Sequence, residues 1–139
     1  RYAGQQQPRK FPWGTKWPPP KESGNFADRS AIEIVPSILP AYDDGDPSTA
    51  AVGTYQPNAL GIYDGGGNVA EWVNDYYSVP TPGITQPVVD PLGPATGTTR
   101  VIRGSSWRHA GEMELRLSFR DYSAEPRPDV GFRVVRFVE

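Results

Sequence analysis

Polar and apolar positions follow a strand period mainly in the last forty residues. Val130-Gly131-Phe132-Arg133-Val134-Val135-Arg136-Phe137 is the strongest strand signal in the chain. Glu114 to Arg120 alternates polar and apolar side chains with period two, and Arg100-Val101-Ile102-Arg103-Gly104 is a short extended run. Upstream the pattern is weaker. Ala31–Leu39 predicts a short apolar strand or turn within a loop running from Gly24 to Ala59, closed by Asp43-Asp44-Gly45-Asp46. Asn68 followed three residues later by Glu71 has the form of a capping box, which predicts a short helix over Val69-Ala70-Glu71-Trp72-Val73. The segment 78–99, rich in Pro, Gly and Thr, reads as a long loop. The opening, Arg1 to Lys21, carries five prolines and predicts a meander pinned by Phe11, Trp13 and Trp17, since three large aromatics left in water would invite association.

Composition sharpens this into a class. At 139 residues the chain suits one domain. Its 15 glycines and 16 prolines argue against a helical bundle, because both residues break helix interiors. Its 4 Trp, 7 Tyr and 5 Phe give it a core that a disordered chain would lack. The expectation is a compact, loop-rich domain with short strands.

Charge and the scarce residue types narrow the chemistry. The net charge is −2, but residues 1–21 hold five bases and no acid, while residues 22–90 hold ten acids against Arg29 alone. That balance makes nucleic acid a poor partner and concentrates carboxylates in the middle third, where they form a solvated face or hold cations. The chain has no cysteine and one histidine, His109, which excludes disulfides, thiolate metal sites, thiol nucleophiles and multi-histidine centres. No apolar run is long enough for a membrane-spanning helix. His109 beside Ser105 and Ser106 has the residue types of a hydrolase, yet no elbow motif or orienting acid stands at a defined spacing, so a hydrogen-bonded structural histidine is expected.

Three stretches, in this order and spacing, resemble the formylglycine-generating enzyme (sulfatase-modifying factor) family. They are Phe11-Pro12-Trp13-Gly14 with Gly24-Asn25-Phe26; Pro57-Asn58-Ala59-Leu60-Gly61-Ile62-Tyr63-Asp64 with Gly67-Asn68-Val69-Ala70-Glu71-Trp72; and Arg103-Gly104-Ser105-Ser106-Trp107 with Leu115 to Arg120 and Gly131-Phe132-Arg133. The resemblance spans nearly the whole chain. It implies an α+β domain, an elaborated C-type-lectin-like fold with low regular secondary structure and short antiparallel strands, held by aromatics and bound calcium. It also implies that residues 1–139 form the C-terminal part of one such domain, Arg1-Tyr2-Ala3 looking like a helix end, with the N-terminal half as a partner in the same or a separate chain.

The resemblance further implies two calcium sites. One would use the side chains of Asn25 and Asp44 with the carbonyls of Phe26 and Asp46; the other, the side chains of Asp64 and Glu71 with the carbonyls of Gly67 and Val69. All four side-chain positions carry an oxygen of the kind calcium selects. Without the resemblance, Asp44 reads as a turn residue and Glu71 as a cap. The family's oxidase chemistry uses copper on two cysteines just after the Arg-Gly-Ser-Ser-Trp strand, where this chain has His109 and then Glu112 or Met113. A second branch, non-heme iron sulfoxide synthases, needs three histidines. The expected function is therefore a non-catalytic, calcium-stabilised binding or assembly module. The alternative is a metal-dependent oxidase or non-heme iron enzyme whose reactive groups lie outside this chain. By analogy with lectin-like domains, the ligand face would fall in residues 105–128, with Trp107, Arg108, His109, Glu112, Arg120, Tyr122 and Arg127 meeting a protein or a glycan. Arg103 and Arg133 read instead as internal, pairing residues. Calcium dependence favours an extracytoplasmic location.

Overall fold

The strands are short, two to seven residues each, and the resulting sheet is small. The computed structural model describes residues 9–58, 60–79, 83, 89 and 92–136. The strands are β1 (Ala70–Tyr76), β2 (Arg100–Arg103), β3 (Arg120–Ser123) and β4 (Val130–Gly131), and a single 3-10 turn covers Arg29–Ala31. Their spatial order is β3-β2-β1-β4. β2 runs antiparallel to both neighbours, whereas β4 lies parallel to β1, making the sheet mixed. Trp72 faces Ile102 and Tyr76 faces Arg100, so four steps along β1 match two along β2. The surplus bulges β1 and raises its twist.

Beneath the sheet and its loops lies an aromatic core. Phe11, Phe26, Leu39, Tyr42 and Leu115 form one buried cluster, with Trp13 packed against it. Phe11 stacks on Trp13 at 5.0 Å between centroids, Trp13 meets Phe26 edge-on at 5.6 Å, and Phe26 lies 5.7 Å from Tyr42. The opening segment is thus pinned by its aromatics as its sequence predicts; Arg1-Tyr2-Ala3 lies outside the described residues. Ala27, Ala31 and Val35 make a second cluster, closed by Ile38 and Trp107. Close backbone approach joins the loops over this core. At Gly67, φ is +100°, and a Cβ would stand 3.0 Å from the Asn25 carbonyl oxygen and from the Phe26 ring.

Three elements differ from the pattern-based expectation. Residues 70–76 form strand, not helix. Asn68 has φ +63°, outside the extended conformation of a helix N-cap, and its amide instead clamps Ala50, accepting from the Ala50 N–H at 2.9 Å and donating to the Ala50 carbonyl at 3.2 Å. Residues 114–119 form turns rather than a strand. The Arg103 guanidinium donates to the carbonyls of Leu117 (2.6 Å), Ser118 (3.3 Å) and Phe119, taking acceptors that a neighbouring strand would otherwise use. Of the run 130–137, only Val130 and Gly131 pair, and Phe132, Val134 and Val135 are exposed; Phe137 lies outside the described residues. Ala31–Leu39 resolves as turns, and Arg100–Arg103 pairs as expected.

Phe11 is fully buried against Trp13, so Phe11→Ala is expected to cost about 3–5 kcal/mol of stability. Ile34→Ala, at a half-exposed position, is expected to cost under about 0.5 kcal/mol. Urea unfolding followed by tryptophan fluorescence separates the two.

Candidate functional site

The loops around the 3-10 turn gather carboxylates in a partly buried pocket. Asp28 caps the turn: its Oδ1 accepts from Ser30 N–H (2.8 Å) and the Ser30 hydroxyl (2.6 Å), and its Oδ2 accepts from the Asp44 N–H at 2.5 Å. Asp44 accepts from the N–H of Phe26 (2.9 Å) and of Asp46 (3.0 Å), while Tyr55 donates its hydroxyl to Asp46 at 2.8 Å. The pocket therefore brings together Phe26, Asp44 and Asp46, three of the four residues of the first expected calcium set. Asn25, the fourth, is fully buried. Its amide nitrogen donates to the Ser48 carbonyl at 2.5 Å and weakly to Asn68 at 3.4 Å, but its Oδ1 is buried with no hydrogen-bond partner.

The electrostatics of this pocket are those of concentrated negative charge. Burial pushes the Asp44 carboxyl up to about 6, with the Asp28 charge adding to the effect and the two amide hydrogen bonds opposing it. Burial likewise raises the Tyr42 hydroxyl to about 12, and burial plus the bond to Asp46 raises Tyr55 further. Among the described residues no three His, Asp or Glu side chains converge as a metal-holding group, so a cation here would draw on amide and carbonyl oxygens as well. Asn25 is next in sequence to Phe26, whose N–H binds Asp44, and its orphaned, fully buried amide oxygen is a donor of the kind calcium takes.

The second set is arranged differently. Glu71 is bound by Arg133, whose Nε donates to both carboxylate oxygens (2.9 and 2.8 Å) and whose Nη2 donates to Oε1. Arg133 Nη2 also reaches the carbonyls of Tyr63 (3.2 Å) and Asp64 (3.4 Å). The Asp64 side chain accepts from the Gly53 N–H at 2.8 Å. A guanidinium thus already compensates Glu71, and this set fits a cation less well than the first. Of the two arginines expected to pair internally, Arg103 is half-buried against main-chain carbonyls, whereas Arg133 pairs with Glu71 at an exposed position.

The expected ligand face divides into three groups. Trp107 packs into the second core cluster with its Nε1 buried and unpaired, and Arg108 lies exposed over its ring at 5.3 Å. Tyr122, half-exposed, stacks on Tyr77 at 4.1 Å, and Arg120 lies over the other member of that pair, 5.3 Å from the Tyr77 centroid. Arg127 turns inward to Asp121 (2.5 Å) and Asp129 (2.9 Å), and Asp129 accepts from the Ser106 hydroxyl at 3.0 Å. Glu112 stands apart, paired with Lys10. The sequence reading omitted Asp28, Tyr55, Tyr77 and Asp129. Asp28 and Asp129 sit in irregular stretches where no spacing rule marks them, but Tyr77, just past the end of β1, belongs to a visible β-prone aromatic pair.

His109 belongs to the inward group. It is buried, edge-on to Phe119, and its Nδ1 accepts from the Ser106 N–H at 3.1 Å. An amide can only donate, so Nδ1 is the bare nitrogen and the proton sits on Nε2. The Ser106 hydroxyl donates to Asp129 and stands 3.5 Å from Nδ1. A serine whose proton goes to a carboxylate and a histidine whose acceptor nitrogen holds a main-chain amide do not make a nucleophile–base couple. His109 is the hydrogen-bonded structural histidine expected.

The whole of this architecture has recognisable relatives. The sulfatase-modifying factor enzyme 1-like domain matches residues 1–138. Formylglycine-generating enzyme from Streptomyces coelicolor is 39% identical over 99 residues, covering 71% of this chain and 30% of that protein. Among solved structures, Treponema denticola variable protein 1 superposes with a TM-score of 0.54 at 36% identity, over 61% of this chain and 31% of the other. PvdO from Pseudomonas aeruginosa gives 0.51 at 30% identity, over 65% and 34%. The chain spans about a third of the length of the relatives it matches.

Burial, the largest cause, and the Arg127 charge lower the His109 imidazole, against the pull of Glu114, Asp129 and Asp121. The unfolded chain then takes up the proton more readily than the folded one, so stability falls as pH drops below about 6.5. His109→Gln is expected to flatten that decline. Urea midpoints taken between about pH 5 and 8 check it.

Proposed function

Because the chain belongs to the sulfatase-modifying factor enzyme 1-like domain family, we propose that it serves as a non-catalytic, calcium-stabilised binding or assembly module on an elaborated lectin-like fold. The observation that carries the non-catalytic part is in the sequence: the chain has no cysteine, so it supplies no thiolate for a copper-bound oxidase centre, and His109 and Glu112 are engaged in internal and surface pairs. Support for calcium comes from the orphaned Asn25 Oδ1 in the carboxylate pocket. Asn25 and Asp44 would hold the ion through side chains, with the carbonyls of Phe26 and Asp46, and the ion would neutralise Asp44 and tie two loops together. Asp64, Gly67, Val69 and Glu71 form the weaker second set, because a cation there competes with Arg133.

Binding would fall to the exposed groups of residues 105–128. Arg108 on Trp107, and Tyr122 with Arg120, present cations and aromatic faces to solvent, a combination suited to a protein or a glycan. Arg127, His109 and Glu112 would support that face rather than touch the ligand. The rest of the domain, in the same or a separate chain, is the other partner of this reading. Calcium is abundant outside the cytoplasm, which favours an extracytoplasmic location. Among the described residues no helix is long and apolar enough to cross a membrane.

The second reading, an enzyme whose reactive groups lie outside these residues, draws on the similarity to a formylglycine-generating enzyme more than twice as long. Elemental mass spectrometry with melting curves distinguishes the two. Calcium near one or two equivalents, with melting lowered by chelator, supports the module; at about 100 times Kd the ion adds about 2.7 kcal/mol. Asn25→Ala and Asp44→Asn are expected to abolish that difference. Stoichiometric iron or copper would favour the enzyme, and a chelator-insensitive, calcium-free protein would remove the calcium sites. Arg108→Ala and Tyr122→Ala are expected to leave melting within about 0.5 kcal/mol of the parent while weakening capture of a partner.

A further inference from the structure

A cavity of about 280 Å³ lies where the turn segment 115–117 faces the glycine stretch 65–66 and the end of β2. Two arginines, Arg103 and Arg116, line it together with Ser105 and the backbone of Gly65 and Gly104, and no acidic residue does. The Nε of Arg116 is buried and has no hydrogen-bond partner. Its nearest carboxylate, Glu112, stands 4.0 Å from Nη2, beyond hydrogen-bond distance, because Lys10 holds Glu112 in a closer pair. Arg103 is fixed by main-chain carbonyls, which orient its positive charge without neutralising it. Burying a charged donor without an acceptor is costly, and among the described residues none accepts from this Nε.

A Cβ added at Gly65, another of the lining residues, would meet nothing within 4 Å, and Gly65 carries no left-handed φ, so the space beside it is open. The cavity shares Pro12, Gly65, Gly66 and Leu117 with an adjoining hollow of about 290 Å³ whose walls are mixed, with Trp13, Pro20 and Ile62 beside Lys21, Glu22 and Asp64.

We infer that this cavity binds an oxyanion, a carboxylate or phosphate group, through the guanidinium of Arg116 in the field of Arg103. The planar guanidinium fork matches both groups. The cavity shares no lining residue with the calcium sets or the Arg108 and Tyr122 surfaces, and does not rest on the function proposed above.

The test uses the whole chain with inorganic phosphate and, separately, acetate, each against chloride at constant ionic strength. In the wild type, phosphate or acetate is expected to raise the melting temperature saturably and to move the Arg116 Nε–H resonance in a nitrogen–proton NMR spectrum. The stronger of the two anions identifies the group recognised. Arg116→Gln is expected to weaken binding on the order of tenfold or more. Arg100→Gln, at an arginine that lies over Tyr76 outside the cavity, is expected to leave it unchanged. A stationary Arg116 resonance in the wild type, or equal binding by Arg116→Gln, overturns the site. Should Arg116→Gln fail to fold, the wild-type titration alone decides.

Discussion

Buried N–H and C=O groups have to be satisfied whether or not a chain forms regular structure. In a domain with one four-stranded sheet and a single 3-10 turn, polar side chains provide much of what strands and helices usually supply. Arg103 holds the carbonyls of Leu117, Ser118 and Phe119; Asp28 and Asp44 hold the amides of Ser30, Asp44, Phe26 and Asp46; Asn68 clamps both groups of Ala50. The aromatic cluster of Phe11, Trp13, Phe26 and Tyr42 fills the interior, but these polar clamps decide which loop lies against which.

The same economy shapes the chemistry. A carboxylate that fixes a loop is also a charge that has to be balanced. Asp129 is balanced by Arg127, and Glu71 by Arg133, so those regions are electrostatically closed. Among the described residues no ion pair joins Asp44 or Asp28 to a cation, and burial and the Asp28 charge raise the Asp44 carboxyl toward neutrality. Arg116 is the mirror case, a guanidinium whose obvious partner has gone to Lys10. These charge mismatches, rather than a preformed reactive couple, are what the two proposed ligand sites rest on.

How far the sequence discloses this depends on the range of the interaction. Aromatic anchoring by Phe11 and Trp13, the β2 run and the internal role of Arg103 follow from residue type and context, whereas Arg133 pairs as expected but on the surface. The capping-box reading of Asn68 and Glu71 fails because both side chains have distant partners, Ala50 and Arg133, that local spacing cannot reveal. The alternation at 114–120 carries a real inside–outside signal, with Leu115 buried, yet cannot say that an arginine rather than a strand takes the carbonyls. For the candidate site, family resemblance located Asn25, Asp44 and Asp46; Asp28, which completes the pocket, carries no local signature at all.

The Arg103 clamp has an evolutionary corollary. Its acceptors are main-chain oxygens, present whatever side chains occupy positions 117–119, whereas the donor is one guanidinium that a lysine could not imitate. As far as this anchoring is concerned, the exposed Ser118 is free to drift while Arg103 is not. An asymmetry of that kind leaves the outer surface of a loop tolerant of substitution over a backbone held by one side chain.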